Sequence, residues 1–321
     1  MSAPNRSNTN PPSFLLTGIP DLEVFHVWIS IPFCVTYIMA VLGNILVLLA
    51  VVLDRSLHEP MYCFIAMLAV IDLILSTAVV PKMLGTFWLD SREIGFEACF
   101  IQMFFTHTST AAESGLLLAM SLDRYVAICH PLRYSTILTS PRAIWAGLLS
   151  LARAVGVMIP LMCLLTSLPY CSSRVIPHSY CEHMAVVGLA CADAATSHGY
   201  SLGMATLLVG TDSALITFSY CMILRAVLRL PSHRARLKAL GTCGSHVFII
   251  LIFYIGGLLS MYLQMFSHSL APHVQVLVAD SYLTVPPMLN PLVYGIKVKQ
   301  IQAGICKLLG QLAGPRSSQA A

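Results

Sequence analysis

Seven long apolar runs divide the chain, and they constrain its fold more than any other feature. A helix needs about 20 apolar residues to cross the hydrocarbon core of a bilayer, and each run is long enough. Backbone polar groups in lipid must be hydrogen-bonded within the protein, and the alternating short segments of a membrane barrel do not occur here. The sequence therefore predicts an all-α membrane protein, a seven-transmembrane helix bundle. The runs lie at about 27–53, 60–84, 98–122, 143–168, 199–224, 239–266 and 274–296.

The composition agrees with this class and excludes others. Apolar residues make up 57% of the 321 residues and charged residues only 10%, whereas soluble domains have about 25% charged residues. A soluble enzyme, a disordered regulator and a small disulfide scaffold are excluded. The sequence contains no H-E-x-x-H or G-x-S-x-G string, so we do not expect an enzyme.

Positive charge predicts the orientation of the helices. Thirteen of the 18 Lys and Arg residues lie on one side of the runs, five of them in 225–238, and positively charged loops stay in the cytoplasm. Residues 1–26 are then an extracellular N-terminus, with a glycosylation sequon at Asn5. Residues 297–321 are a cytoplasmic tail that begins with a short amphipathic helix on the membrane, where Cys306 is either palmitoylated or an ordinary thiol. We expect a multi-pass protein of the plasma membrane, in contact with lipid and without a nucleic-acid partner.

Four local motifs occur in chain order at consistent membrane depths. Gly43-Asn44 lies in span 1 and Asp72 in span 2, and the inner end of span 3 reads Asp123-Arg124-Tyr125. Span 7 contains Asn290-Pro291 followed by Tyr294. Together these motifs resemble those of the rhodopsin-like G-protein-coupled receptors.

Further strings narrow the resemblance to the olfactory receptors. L-H-E-P-M-Y at 57–62 precedes span 2, K-A-L-G-T-C-G-S-H at 238–246 opens span 6, and Tyr254 stands where most rhodopsin-like receptors have tryptophan. H-S-Y-C-E-H-M at 178–184 is similar to the fish-like class I branch. The resemblance covers about residues 14 to 302. It implies that a small volatile or aliphatic odorant binds in the outer half of the bundle, activates a stimulatory heterotrimeric G protein and raises cAMP.

The resemblance also implies roles for individual residues. The ligand is expected between spans 3, 5 and 6, beneath the second outer loop. The expected ligand-binding residues are Phe104, His107, Thr108, His183, Met204, Leu207, Leu208, Met261, Tyr262 and Met265. The expected ion and switch residues are Asp72, Glu113, Tyr254, Asn290 and Tyr294, and the expected G-protein-coupling residues are Asp123, Arg124, Tyr125 and Tyr220.

Ionisable side chains inside predicted spans are costly and normally face the interior of the bundle. Asp72 and Glu113 lie at mid-depth, and two facing carboxylates would share a proton or a cation. Our hypothesis is a sodium ion or a proton held there, with no other cofactor. Arg153 and Asp212 are expected to form a structural pair.

Four cysteines lie in segments predicted to be outside, and four cysteines allow three connectivities that sequence alone does not distinguish. The resemblance supports Cys99–Cys181 together with Cys171–Cys191, and the runner-up is Cys99–Cys191. A disulfide at Cys181 removes its thiolate, so we expect no metal at the string that begins with His178.

One departure from the family pattern bears on the ligand. Some class I receptors that recognise short carboxylic acids have an arginine near the outer end of span 6, where this chain has Y-L-Q-M at 262–265. Burying an anion without a cation partner is costly, so we expect a neutral or only weakly acidic aliphatic odorant. The alternatives are a rhodopsin-like receptor for an internal metabolite, expressed outside the olfactory epithelium, and a transporter or channel. A transporter would show paired repeats or interrupted helices, which are not visible in the sequence.

Overall fold

The computed structural model describes residues 11–170, 173–266 and 270–312, and its long helices follow the apolar runs. For six residues it describes the backbone alone: Lys238, Thr242, Met265, Phe266, Gln311 and Leu312. A shorter helix, α8 (Lys299–Leu312), follows the seventh long one. The seven long helices of the described residues are α1 (His26–Leu53), α2 (Pro60–Leu89), α3 (Phe96–Cys129), α4 (Ser140–Thr166), α5 (Ala195–Leu228), α6 (His233–Phe266) and α7 (Pro272–Lys297).

Most of these helices extend beyond the predicted spans, because helical hydrogen bonding does not stop where the apolar run stops. The third span was expected to end at residue 122, whereas α3 continues to Cys129, just before Pro131 interrupts it. The fourth begins at Ser140 rather than residue 143, with a proline in its first turn. These two helix ends therefore follow proline positions more closely than hydropathy.

Two of the long helices are distinctly more polar than the others. Among the described residues, five helices are apolar and long enough to cross a membrane by composition alone, and α3 and α7 are not among them. Helix α3 packs against α2, α4 and α5, and α7 packs against α1, α2 and α6. Both helices carry polar side chains that are buried inside the protein, as those of Glu113 and Asp280 show.

The contact between α1 and α7 depends on a proline. Pro291 lacks a backbone N–H, so the carbonyl of Pro287 loses its helical partner four residues later. Asn44 Nδ2 donates to this carbonyl at 2.9 Å from the neighbouring helix. Gly43 lies beside it, and a Cβ at that position would be 2.9 Å from Pro291 Cγ. The Gly43-Asn44 motif therefore permits close packing and satisfies the freed carbonyl.

A small sheet lies at the end of the bundle that carries the N-terminus, which the sequence analysis did not anticipate. Strand β1 (Ser13–Leu16) pairs antiparallel with β2 (Glu93–Gly95) and parallel with β3 (Val175–Ile176). Phe14 and Leu16 are fully buried. Residues 1–10, which include Asn5, lie outside the described residues. The N-terminal segment thus ties together two connections that are distant in sequence.

Helix α8 lies at the opposite end and packs against α1. Its Ile301 is fully buried, and Lys307 Nζ lies 3.3 Å from Asp54 Oδ2. Cys306 is exposed.

We expect Gly43→Ala to destabilise the receptor, although alanine is the better helix former. The added methyl group overlaps Pro291, and overpacking of this kind costs about 1–3 kcal/mol. The thermal midpoint of the detergent-solubilised receptor measures the effect. The matched control is Gly85→Ala, where a Cβ meets no described atom within 4 Å. Equal midpoints for the two variants would contradict the packing argument.

Candidate functional site

A cavity of about 380 Å³ lies between α3, α4, α5, α6 and α7. Part of the connection between α4 and α5 covers the cavity, and we call residues 178–184 of this connection the roof segment. Most of the wall is apolar, and the cavity ends at Ser114 and Tyr254 on the side away from the roof segment. The apolar walls are formed by Val157, Met158, Leu161, Met204, Leu208, Leu258, Met261 and Leu283.

The roof segment is fixed to α3 by covalent and polar contacts. Cys181 forms a disulfide with Cys99, with their Cα atoms 5.5 Å apart. Gln102 accepts a hydrogen bond from the Cys181 backbone N–H at 2.9 Å and donates to the Ala78 carbonyl of α2. The runner-up pairing of Cys99 with Cys191 is therefore wrong for this structure. Cys191 is itself disulfide-bonded, and its expected partner, Cys171, lies outside the described residues.

Three histidines lie near the roof end of the cavity. The ring centroids of His107 and His183 are 6.3 Å apart, and those of His183 and His198 are 6.5 Å apart. Among the described atoms, Nε2 of His107 and Nε2 of His183 are buried without a hydrogen-bond partner. Burial and the two neighbouring histidines lower the pKa of His183 to about 3, so its ring is neutral at physiological pH. Both residues line the cavity, and their unpartnered Nε2 atoms are candidate partners for a ligand.

Half of the expected ligand-binding residues line this cavity. His107, His183, Met204, Leu208 and Met261 do so. The side chain of Met265 lies outside the described residues.

Four of the expected residues do not line it: Phe104, Thr108, Leu207 and Tyr262. The side chains of Leu207 and Tyr262 are 54% and 59% exposed on the surface of the bundle. Successive residues of a helix point about 100° apart, so the neighbours of a lining residue often face outward. These assignments are corrected by the structure.

Sequence reasoning also missed a stripe of α3 that lines the cavity. Thr110, Ala111 and Ser114 follow His107 at intervals of three, four and seven residues, the spacing of one helical face. That periodicity was available in the sequence. The contributions of α4 and α7 were not, since they depend on how the helices pack.

A buried polar network closes the cavity at the end opposite the roof segment. Arg153 of α4 donates to both carboxylate oxygens of Asp212 of α5 at 2.7 Å, which confirms the expected pair. Ser114 Oγ donates to Asp212 Oδ2 at 2.7 Å and lies 2.9 Å from Tyr254 Oη. The network therefore joins four helices, and two of its members face the cavity.

A second polar cluster lies between α2, α3 and α7. Asn290 Nδ2 is within 3.1 Å of both oxygens of Asp72 and 3.2 Å from Glu113 Oε1. Glu113 Oε2 and Asn290 Oδ1 are buried without a partner among the described residues. Both are acceptors, so either a proton or a cation would satisfy them.

The C-terminal end of α3 holds the expected coupling residues. Arg124 Nε donates to Asp123 at 2.9 Å, and Tyr134 Oη donates to the same carboxylate at 2.8 Å. Tyr220 Oη contacts His246 Nδ1 across α5 and α6. Tyr125 is half-buried beside His130.

Tyr294, the remaining switch residue, packs in the interior. It is buried, and its hydroxyl has no partner among the described atoms.

The bundle is similar to that of squid rhodopsin, with a TM-score of 0.74 over 92% of this chain and 88% of that chain, at 18% identity. The fold is therefore that of a rhodopsin-like seven-helix receptor. A family model described as "Olfactory receptor" matches residues 33–312. Human olfactory receptor 52K2 is 51% identical to this chain over 305 residues, which cover 95% of this chain and 97% of that receptor. Human olfactory receptor 52P1 is 46% identical over 321 residues, which cover 99% of this chain and 100% of that receptor. The chain belongs to the olfactory receptor family, and it is a multi-pass membrane receptor rather than an enzyme.

We expect Asp212→Ala to lower the thermal midpoint of the receptor strongly. It leaves the partly buried Arg153 guanidinium without its charge partner, and removing one member of such a pair is destabilising because the remaining charge is uncompensated. The control is the double variant Arg153→Met with Asp212→Leu, which removes both charges and should be the more stable of the two. A double variant less stable than Asp212→Ala would contradict this account.

Proposed function

We propose that the chain is an odorant receptor whose ligand, a small neutral or only weakly acidic aliphatic molecule, binds in the cavity beneath the roof segment. Binding activates a stimulatory heterotrimeric G protein and raises cAMP. The receptor lies in the plasma membrane with its N-terminus outside and α8 in the cytoplasm. The observation that carries the proposal is a largely apolar cavity that is capped by the roof segment and ends at a polar network joining four helices.

The lining of the cavity supports a neutral ligand. Among the described residues, neither lysine nor arginine lines it, so a carboxylate would be desolvated without a fixed positive charge. The unpartnered Nε2 atoms of His107 and His183 suit a hydroxyl or carbonyl group, since a neutral imidazole nitrogen either donates or accepts. The methionines Met204 and Met261 form adaptable apolar walls for an aliphatic chain.

The network supplies a route from the cavity to the G-protein side. A ligand that contacts Tyr254 changes the energy of its hydrogen bond to Ser114, and this bond links α6 to α3. Helix α6 also carries His246, the partner of Tyr220. A ligand shifts the receptor to the active form only if it binds that form more tightly. In the proposed active form, α6 has moved outward and Arg124 is released from Asp123.

The test is a cAMP assay of cells that express the full-length chain. The panel contains straight-chain acids, alcohols, aldehydes and ketones of matched chain length. We expect an alcohol, aldehyde or ketone to act at lower concentration than the acid of equal length. His107→Ala should raise the half-maximal concentration about tenfold, the effect of losing one hydrogen bond.

Two further variants complete the experiment. Leu207→Ala changes a side chain that points away from the cavity and should respond as the wild type does. Arg124→Ala should reach the cell surface without raising cAMP. Selectivity for acids would contradict the ligand class, and normal signalling by Arg124→Ala would contradict the coupling role.

We also propose that a sodium ion or a proton is held by Asp72 and Glu113 and stabilises the inactive receptor. Two carboxylates in one buried site repel each other unless a proton or cation intervenes. Asn290 Nδ2 serves both carboxylates at once, and the two unpartnered oxygens of Glu113 and Asn290 are suitable ligands for a cation. A cation here would also hold α2, α3 and α7 together.

Glu113→Gln should raise basal cAMP and make signalling independent of external sodium, because one of the two charges is removed. Basal and odorant-driven cAMP are measured across a series of sodium concentrations with choline as the replacement. The control is Glu97→Gln, an exposed glutamate at the start of the same helix. If neither basal nor odorant-driven cAMP changes in Glu113→Gln, the proposed site is wrong.

A further inference from the structure

The roof segment is held to three separate parts of the protein. The backbone N–H of Gly18 donates to the His178 carbonyl at 3.2 Å, which ties the segment to the N-terminus. Cys181 fixes it to α3 through the disulfide and Gln102. The hydroxyl of Ser179 donates to Asp280 Oδ1, and this bond joins the segment to α7.

The bond between Ser179 and Asp280 is fully enclosed. Both side chains have no exposed surface, and Asp280 Oδ2 has no partner among the described atoms. A buried carboxyl group with one unsatisfied oxygen is costly. None of the roles described so far involves Asp280, so they do not explain the energetic cost of burying its carboxyl group.

Local geometry decides where the Ser179 proton points. Nδ1 of His178 already accepts the Ser179 backbone N–H at 3.1 Å, and the Ser179 hydroxyl is farther from it, at 3.4 Å. Burial lowers the pKa of His178 to about 3, so the ring is neutral at physiological pH, and the bond that Nδ1 accepts from the backbone places the ring proton on Nε2. The hydroxyl is left to donate to Asp280.

This bond lies immediately behind the wall of the cavity. Tyr180 follows Ser179 in the chain and lines the cavity, and Tyr282 and Leu283 line it within one turn of Asp280. Tyr180 also packs with Leu283 and Ala279 of α7. The positions of lining residues on both sides therefore depend on the bond.

We propose that Asp280 is a positioning residue for the ligand site, which holds the roof segment against α7 through Ser179. The disulfide and Gln102 hold the segment to α3 at Cys181, and Gly18 holds His178 to the N-terminal segment, but neither contact joins it to α7. A second fixed point two residues away sets its direction, and with it the places of Tyr180, Glu182 and His183 over the cavity. The effect on ligand binding rests on the proposed function, whereas the effect on the roof segment does not.

The test compares Asp280→Ala, Asp280→Asn, Ser179→Ala and the double variant Ser179→Ala with Asp280→Ala in the full-length receptor. The first measurement needs no ligand. It follows hydrogen–deuterium exchange of the peptide that contains the roof segment, in purified receptor in nanodiscs. The second measurement is the half-maximal concentration and the maximal cAMP response for hexanol, octanol and decanol in cells, normalised to surface expression.

We expect Asp280→Ala and Ser179→Ala each to speed exchange and to raise the half-maximal concentration about tenfold, with the maximal response unchanged. The double variant should be no worse than either single variant, because both remove the same bond. Asp280→Asn should resemble the wild type, since its amide oxygen still accepts from Ser179. The matched control is Ser150→Ala, because the Ser150 hydroxyl bonds only to the Ala146 carbonyl of its own helix among the described residues.

Several results would overturn the proposal. These are unchanged exchange in both alanine variants, additive losses in the double variant, or Asp280→Asn as impaired as Asp280→Ala. If Asp280→Ala fails to reach the surface, Ser179→Ala decides the matter alone, because it removes one oxygen atom and no charge. If the wild type responds to none of the three alcohols, the proposed ligand class fails, and exchange still decides the role of Asp280.

Discussion

A polar group buried inside this helix bundle is costly unless another part of the protein supplies its hydrogen-bond partner. Several contacts between the helices meet this constraint. The carbonyl freed by Pro291 is satisfied by Asn44 on α1, and the guanidinium of Arg153 is satisfied by Asp212 on α5. Each of these contacts joins two helices. The polar groups that make insertion costly therefore also join neighbouring helices.

Helix α3 is where the separate polar clusters come closest. Glu113 faces α2 and α7 through Asn290, whereas its neighbour Ser114 faces α5 and α6 through Asp212 and Tyr254. Two adjacent residues point about 100° apart on a helix, so a small rotation of α3 changes both clusters together. Three turns further along the same helix lies Arg124. In the proposed mechanism, α3 therefore transmits a change in the ligand cavity to the end of the bundle that carries Arg124.

The sequence predicted those parts of the fold that depend on local composition. Seven apolar runs indicate seven helices, and Arg153 and Asp212 were expected to pair because isolated charges in a bilayer are costly. Strand β1 was not predicted, because it pairs with segments of two and three residues that are distant in sequence. For the same reason the sequence did not indicate that Val157 of α4 lines the cavity. Leu207 was assigned to the site together with Leu208, although the two side chains face different surroundings.

Composition identifies five helices as apolar enough to span a membrane, and the two that it omits carry much of the candidate chemistry. Helix α3 holds His107, Glu113, Ser114 and Arg124, and α7 holds Asp280 and Asn290. A helix with so many polar groups is poorly suited to lipid on its own, so α3 and α7 depend on neighbours that satisfy those groups. The neighbouring helices hold α3 and α7 through hydrogen bonds as well as apolar contact, and a hydrogen-bonding group is able to exchange one partner for another. In the proposed function, the two helices that most need the assembled bundle are thus the two whose contacts a ligand, a proton or an ion changes.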